Sequence, residues 1–572
     1  MLRMVICVPS EQMQILRPMT THAWRVSSRL LTDASATVRT RIIRCVLLGA
    51  ASLLLASCGG GGGGVASAAS TTPTPGTSST TSNGITYTPG VYLPYSTFAA
   101  QCAAPRTGTN PQTGLAWPDR QGSVTAENHW LRAWTHDLYL WFDEVPDRDP
   151  AATSTTAAYF DLEKTTAVLA SGQAKDRFHF TYSTDTWQAL SQSGVEAGYG
   201  ASWGIIASKP PRRIVVQYTE ANTPAALAVP TVARGAEVVA VDGVDAVNDN
   251  TSAGVATLNA GLFPAKAGEV HTFTLRDRGA STTRVVSLAS AAITHVTVPV
   301  VRTVDTPTGR VGYLLFNDHL ATAEKALVDA VTQLKTAAIQ DLVLDIRYNG
   351  GGYLDIANEL AYMIAGPTQT AGRIFERIQF NSQHPATDPV TGKAIVPDAF
   401  LSTTQGFGQL PSGQALPSLG LSRLTVLTTA ETCSASESVI NALRGIGVQV
   451  VQVGGTTCGK PYGFYPTDNC GTTYFSIQFR GVNDAGFGDY AEGFSATRTT
   501  GAAQAILPGC GTADDFSHDL GDVAEGQFAA ALAYRSGASC PATVAGLTAP
   551  AVPGGIALQL PRGPWRENRI LR

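Results

Sequence analysis

Charge is scarce in this chain. Asp, Glu, Lys and Arg make up 15% of its 572 residues and sum to a net −4. No run of basic residues occurs, which argues against nucleic-acid binding. Only eight of the 40 basic residues are lysines. Past the N-terminal region no apolar segment is long enough to span a bilayer. The later cysteines lack the paired short steps of a zinc site. No glycine cluster has the spacing of a dinucleotide fingerprint or a Walker loop. Neither a metal nor a cofactor is therefore expected. What is present is globular: 44% of the residues are hydrophobic, and the length allows two or three domains.

The N-terminus carries an address. Arg39, Arg41 and Arg44 precede an apolar run from Cys45 to Ala56 that ends in Leu55-Ala56-Ser57-Cys58. A basic region, a short apolar run and a small-residue site are the layout of a secretory signal, here residues 1–57. A start at Met13 or Met19 would serve it equally well. The last four residues resemble a bacterial lipobox, which implies cleavage before Cys58 and acylation of its sulfur. Six glycines, Gly59 to Gly64, and Ser/Thr/Pro/Gly-rich sequence follow. That composition cannot bury a core, so residues 58–95 are expected to be a flexible tether. The implied location is that of an exported lipoprotein on the periplasmic side of the outer membrane, held by lipid at Cys58. The remaining cysteines, Cys102, Cys433, Cys458, Cys470, Cys510 and Cys540, are an even set in an exported chain, and up to three disulfides are expected. Bridges at Cys433 and Cys458 would brace the segments beside them; a thiol nucleophile at Cys433 is the rival reading.

The pattern predicts a multidomain α+β protein. Residues 120–195 carry aromatics at near-helical spacing, as in His129-Trp130-Leu131-Arg132-Ala133-Trp134, and are expected to form a helical segment. Residues 196–300 hold short β-rich runs with turn signals such as Asp242-Gly243. Thr223-Pro224-Ala225-Ala226 and Arg234 through Gly243 resemble a PDZ domain. That implies a peptide-binding edge near Trp203, Gly204, Ile205 and Ile206, where an extended peptide C-terminus adds as a strand. From residue 301 to 540 strands and helices alternate, the mark of an α/β core with a largely parallel sheet. Expected elements are strands at 311–316, 342–346, 424–427 and 448–453 and helices at 323–337, 354–364 and 434–443. An aperiodic stretch from Phe375 to Ser422 is expected as a surface loop near the site, and residues 541–572 as a disordered tail.

Three segments carry chemistry. Asn349-Gly350-Gly351-Gly352 follows a buried strand, where glycines let backbone N–H groups approach a ligand, as an oxyanion hole requires. Thr432-Cys433-Ser434-Ala435-Ser436-Glu437 places a serine at a helix start, where Ser434-x-x-Glu437 also reads as a capping box. Lys460, between Gly459 and Pro461, is either a solvated lysine or a base, and a desolvated lysine can activate a serine. Asp345 and Arg347 share a strand face and read as a structural ion pair.

Together these residues resemble peptidase family S41, the C-terminal processing or tail-specific proteases. Asp345-Ile346-Arg347-Tyr348-Asn349-Gly350-Gly351-Gly352 is similar to its Asp-Leu-Arg-x-Asn-x-Gly-Gly, Ser434-Ala435-Ser436-Glu437 to its nucleophile motif, and Gly454 through Lys460 to its lysine loop. The resemblance covers roughly residues 125 to 535 and implies a ClpP/crotonase-like core. It also implies Ser434 as nucleophile, Lys460 as general base, the amides of Gly351 and Ala435 as oxyanion hole, and exported polypeptides as substrates. Two departures stand out: the Ser–Lys interval is one residue longer than usual, and Phe464 replaces a glutamine that helps orient the lysine. A Ser-His arrangement through His319 or His518 stays open. The other readings are a non-catalytic PDZ lipoprotein scaffold that holds peptides, and an acyl-CoA enzyme, which an exported compartment disfavours.

Overall fold

A computed structural model describes residues 80–82, 84–111, 113–497, 505–541, 556–558 and 568–570. The expected signal segment, Cys58 and the glycine run lie outside the described residues. Among the described residues no helix is long and apolar enough to cross a membrane. The expected tether ends earlier than residue 95. Tyr87 and Phe98 are buried, and Phe98 packs with Trp130, Leu131 and Trp134 of helix α1 (Val124–Leu138). Ser123 caps that helix by accepting the Ala126 N–H, and Trp130 stacks on Trp134 one turn later.

The PDZ-like domain is a wholly antiparallel sheet. Its strands are β1 (Ala201–Ala207), β2 (Arg213–Thr219), β3 (Glu237–Val241), β4 (Val270–Arg276) and β5 (Arg284–Ala289), with helix α2 (Ser252–Leu262) between β3 and β4. The order is β5-β4-β3-β2-β1, which leaves β1 at the edge. Asp242 and Gly243 both take positive φ, as a tight two-residue hairpin turn demands.

The core is built from β6 (Val300–Thr306), β7 (Gly309–Leu315), α3 (Ala323–Thr336), β8 (Asp341–Asp345), β9 (Gly351–Tyr353), α4 (Leu354–Thr370), β10 (Arg423–Thr428), α5 (Ala435–Gly445), β11 (Gln449–Gly454), β12 (Tyr462–Gly463), β13 (Gly509–Cys510) and α6 (Gly526–Arg535). The main sheet runs β6-β7-β8-β10-β11-β13, antiparallel at β6–β7 and parallel thereafter. β8 is buried on both faces. Leu342 and Leu344 pack under α3, α4 and α5, whereas Val343 joins Tyr313, Leu427 and Phe528 of α6 on the other face. That burial explains its unbroken apolar sequence.

The stretch from Phe375 to Ser422 is not simply a surface loop. Phe400, Phe407, Leu416 and Leu421 are buried in the same core as α4. The Glu324 carboxylate at the start of α3 accepts the N–H groups of Gln405, Gly406 and Phe407, which clamps the segment down. All six cysteines pair, as Cys102–Cys470, Cys433–Cys458 and Cys510–Cys540. The tail is not featureless either. Residues 556–558 lie on the PDZ-like domain, with Leu558 buried in its core, and β14 (Asn568–Ile570) pairs in parallel with β9.

Candidate active site

The C-terminal ends of β8, β10 and β11 deliver the three motifs to one place, as open α/β sheets do. Behind them, Arg347 is fully buried and saturated. Its guanidinium bonds Asp345 at 2.9 Å, Glu525 at 2.8 Å and Asp514 at 2.9 Å, while the Tyr313 hydroxyl donates to Asp345 at 2.6 Å. The predicted Asp345–Arg347 pair therefore forms, as part of a larger network. Burial opposes the charge on Asp514, but Arg347 and Arg234 hold its carboxyl below the ordinary range.

Asn349 ties the glycine turn to the serine turn. Its carbonyl accepts the Cys433 N–H at 3.0 Å and the Ser436 hydroxyl at 2.9 Å. Its side-chain amide donates to the Phe316 carbonyl, and its Oδ1 accepts from Gly351 N–H at 3.0 Å and His319 Nδ1 at 2.9 Å. The expected oxyanion role of Gly351 is thus corrected: its N–H is turned inward to Asn349. Backbone groups alternate along a strand, and β9 uses its Gly351 carbonyl and Tyr353 N–H on His319. The opposite edge belongs to Gly352, whose φ of 135° only glycine adopts readily, and a Cβ there would meet the His319 carbonyl oxygen at 2.4 Å. The Ala435 N–H, in the first turn of α5, bonds nothing among the described residues.

Ser434 is an outlier. It is fully buried, holds φ 61° and ψ −114°, and its Oγ has no hydrogen-bond partner. The expected capping box is in place, with the Ser434 N–H donating to Glu437 at 2.9 Å and Oγ facing the Glu437 N–H without a hydrogen bond of full geometry. A non-glycine residue in this region costs ~1–3 kcal/mol, which its surroundings must offset. Those surroundings centre on Glu437, itself fully buried. One of its oxygens accepts the N–H groups of both Ser434 and Lys460, at 2.9 and 2.8 Å. The other accepts the Thr457 hydroxyl at 2.5 Å and the Gly459 N–H at 2.9 Å. The serine turn and the lysine loop are therefore fastened to one carboxylate, and the Cys433–Cys458 bridge fastens them again. Burial raises the Glu437 pKa, against the pull of these donors. Cys433, Glu437 and Cys458 lie close enough to hold a metal. Both sulfurs are spent in the bridge, which also removes Cys433 as a thiol nucleophile.

Lys460 is fully buried. Its Nζ lies 4.3 Å from the Phe464 ring centroid and 4.8 Å from that of Phe178. Phe464, which stands where a glutamine was expected, thus forms one wall of an aromatic seat for the lysine, and the helical segment supplies the other. Phe178 carried no sequence signal.

His319 reaches the site and His518 does not join it. His319 is buried and neutral, its pKa pushed by burial down to about 3, with Nε2 unpartnered. The His518 ring bonds Asp515 and Ser517, and its carbonyl accepts from Arg234.

Of the residues predicted to bind peptide, Trp203 is buried, stacked on Phe273, and donates its indole N–H to the Leu262 carbonyl at 3.0 Å. It borders a cavity of about 580 Å³ between residues 195–203, the end of α2 and Tyr348. Gly204 is buried against Gln217, Ile205 is half-buried, and Ile206 is exposed; none of these three lines the cavity. Contacts the sequence did not announce join this domain to the core. Arg234 donates to the Tyr348 hydroxyl at 2.6 Å and to Asp514 at 2.7 Å, and Gln217 donates to Glu431, just before the serine turn, at 2.7 Å.

Residues 310–464 match the sequence model of Peptidase family S41. The carboxyl-terminal-processing protease of Picosynechococcus sp. is 25% identical over 225 residues, 39% of this chain and 45% of that protein. The match thus spans about half the length of that relative. An S41 protease from Bacteroides fragilis shares the fold with a TM-score of 0.51 and 19% identity, over 74% of this chain and 99% of that one. The photosystem II D1 C-terminal processing protease aligns at 20% identity over 66% of this chain and 92% of its own, with a TM-score of 0.38. In its motifs and in these matches, the chain is similar to the serine peptidase family S41, over residues 310–464 for the family's sequence model.

Proposed function

We propose that this chain is a Ser-Lys endopeptidase acting on exported polypeptides. The observation that carries the reading is Ser434: buried, held at positive φ, with an unpartnered Oγ, and joined through Glu437 to a buried lysine. In the proposed reaction the neutral Lys460 amine takes the Ser434 hydroxyl proton as Oγ attacks the peptide carbonyl. A lysine is a base only when neutral, and removal from water favours that form. The developing oxyanion is received by the Ala435 N–H together with the outward edge of β9. Nζ returns the proton to the leaving amine, and water then hydrolyses the acyl-enzyme. Oγ has no partner at rest, so the Ser–Lys hydrogen bond is expected to close as substrate binds.

The β1 edge and the adjoining cavity support a peptide-binding role for the PDZ-like domain, with substrate C-termini as the proposed ligands. The lipobox-like Leu55-Ala56-Ser57-Cys58 supports anchoring by lipid at Cys58 on the periplasmic side of the outer membrane. Wild type, Ser434→Ala and Lys460→Ala should be compared on an unfolded protein substrate. Only wild type should degrade it. Equal degradation by all three would sink the proposal, and no degradation by any would favour a peptide-holding scaffold. His319→Ala is the further arm: loss of activity there with Lys460→Ala active would move the base to His319, whose Nε2 is buried and unpartnered.

A further inference from the structure

The site strand already has a peptide on it. β14, residues 568–570 of this same chain, lies parallel to β9 in the register Gly351–Asn568, Gly352–Arg569 and Tyr353–Ile570. The same three residues also lie beside α5 and β12, the elements that follow Ser434 and Lys460. One segment therefore pairs with the strand of the glycine turn and lies beside the serine helix and the strand just past Lys460. Twelve residues before Ile570 the tail has a second anchor. Leu558 donates its N–H to the Ser208 carbonyl at 3.0 Å, directly after the edge strand β1. Arg212 donates to the Ile556 carbonyl at 2.6 Å, and the Leu558 side chain is buried among the core residues of the PDZ-like domain.

The backbone of β9 dictates where an incoming chain can lie. Its inner edge is spent on His319, and Gly351 N–H on Asn349, so an extended peptide can add only along the edge of Gly352. A carbonyl that is to react with Ser434 must follow that edge. The tail occupies it, and Ser434 and Lys460 are both without solvent exposure.

We propose that residues 568–570 are an intramolecular ligand of the active site: the chain's own tail, held on the PDZ-like domain at 556–558, occupies the strand position that a substrate must take from it. The inference rests on the peptidase reading for what is displaced, but not for the binding itself. A tethered segment competes at an effective concentration on the order of millimolar. Against an outside peptide that binds at ~10 μM, such a tether weakens apparent affinity on the order of a hundredfold when the two are equally good ligands.

The test uses a fluorescent synthetic peptide with the sequence of residues 564–572 and measures its binding by anisotropy. Every protein carries Ser434→Ala, so catalysis plays no part. The first lacks residues 542–572 and keeps the Cys510–Cys540 bridge. The second keeps the whole chain with Asn568→Pro and Arg569→Pro. Successive N–H groups alternate sides, so one of these prolines removes a donor facing β9, and the anchor at 556–558 stays intact. Both should bind the peptide at least tenfold more tightly than the full-length chain. Equal affinity across the three proteins, or no binding to either altered chain, overturns the inference. In the Ser434 background the same changes should lower KM for a short peptide and leave kcat alone. An affinity difference without cleavage by any Ser434 protein would fell the peptidase reading and leave the tail ligand standing. Cleavage by wild type with identical affinities would do the reverse.

Discussion

Glu437→Gln isolates what fastens the lysine loop to the nucleophile. The carboxylate accepts four hydrogen bonds, two per oxygen. A glutamine of nearly the same shape keeps one acceptor oxygen and puts an NH₂ group at the other. Facing that group towards Ser434 and Lys460 would strand two buried backbone N–H donors, at ~2–6 kcal/mol. Facing it towards Thr457 and Gly459 strands one backbone N–H, that of Gly459. The Thr457 hydroxyl, which already accepts the Phe494 N–H, can turn to accept the amide at the loss of its own acceptor. The cost is then ~1–3 kcal/mol, partly offset because a neutral amide replaces a carboxylate whose charge burial disfavours. The variant should therefore fold, with a lower melting midpoint, and adopt the second orientation. The donor left loose is Gly459, next to the proposed base, so kcat should fall by roughly ten- to a hundredfold, as misplacement of a catalytic group implies. KM should stay within about twofold, since no proposed substrate contact changes. The assay is steady-state hydrolysis of a fluorogenic peptide beside thermal unfolding of the same preparations. A variant that loses the expected stability but keeps wild-type kcat would refute the reasoning, because Glu437 would then be fastening nothing that catalysis needs.

Replacing Cys433 and Cys458 by serine removes a bridge with a sequence separation of 25, worth ~3.5 kcal/mol by chain entropy. It should lower kcat as well as stability. Removal of Cys510–Cys540, with a similar separation of 30, should cost about as much stability and leave kcat unchanged. Gly352→Ala forces a Cβ against the His319 carbonyl at positive φ and should abolish peptide hydrolysis with the fold retained by circular dichroism. Glu359, buried beside Glu324, has its pKa raised from 4.5 to about 9, first by burial and then by its neighbour's charge. The folded chain thus keeps a proton that the unfolded chain has released above 4.5. Stability from this group is full below that pH and is lost as pH rises towards 9, by at most ~1.4 kcal/mol per pH unit. Denaturant unfolding should show Glu359→Gln level with wild type at pH 5 and more stable at pH 8.

Much of the scaffold was legible because local pattern and burial agree. The apolar run Leu342-Val343-Leu344 is a strand covered on both faces, and the period of α3 and α5 matches the faces they bury. Ser434 and Lys460 were bland singly, a cap and a lone lysine, and gained meaning only from the glycine turn. What stayed hidden depends on distant partners. The inward turn of the Gly351 N–H follows from where the Asn349 side chain points, which His319 and Phe316 decide. Phe464 looked like a lost orienting residue until Phe178, nearly 300 positions away in sequence, closed the other side of the lysine. The buried residues of the 375–422 stretch have no period because an irregular chain presents them singly to the core. No composition rule pairs residue 568 with residue 351.

The central claim is that Ser434 is a nucleophile activated by Lys460. Its most direct measurement is covalent labelling by a fluorophosphonate, read by peptide mass spectrometry, on the chain lacking residues 542–572. The account predicts a single adduct on Ser434, its formation slowed at least a hundredfold by Lys460→Ala and absent in Ser434→Ala. An adduct on another serine, or labelling of Ser434 at the same rate without Lys460, would contradict it.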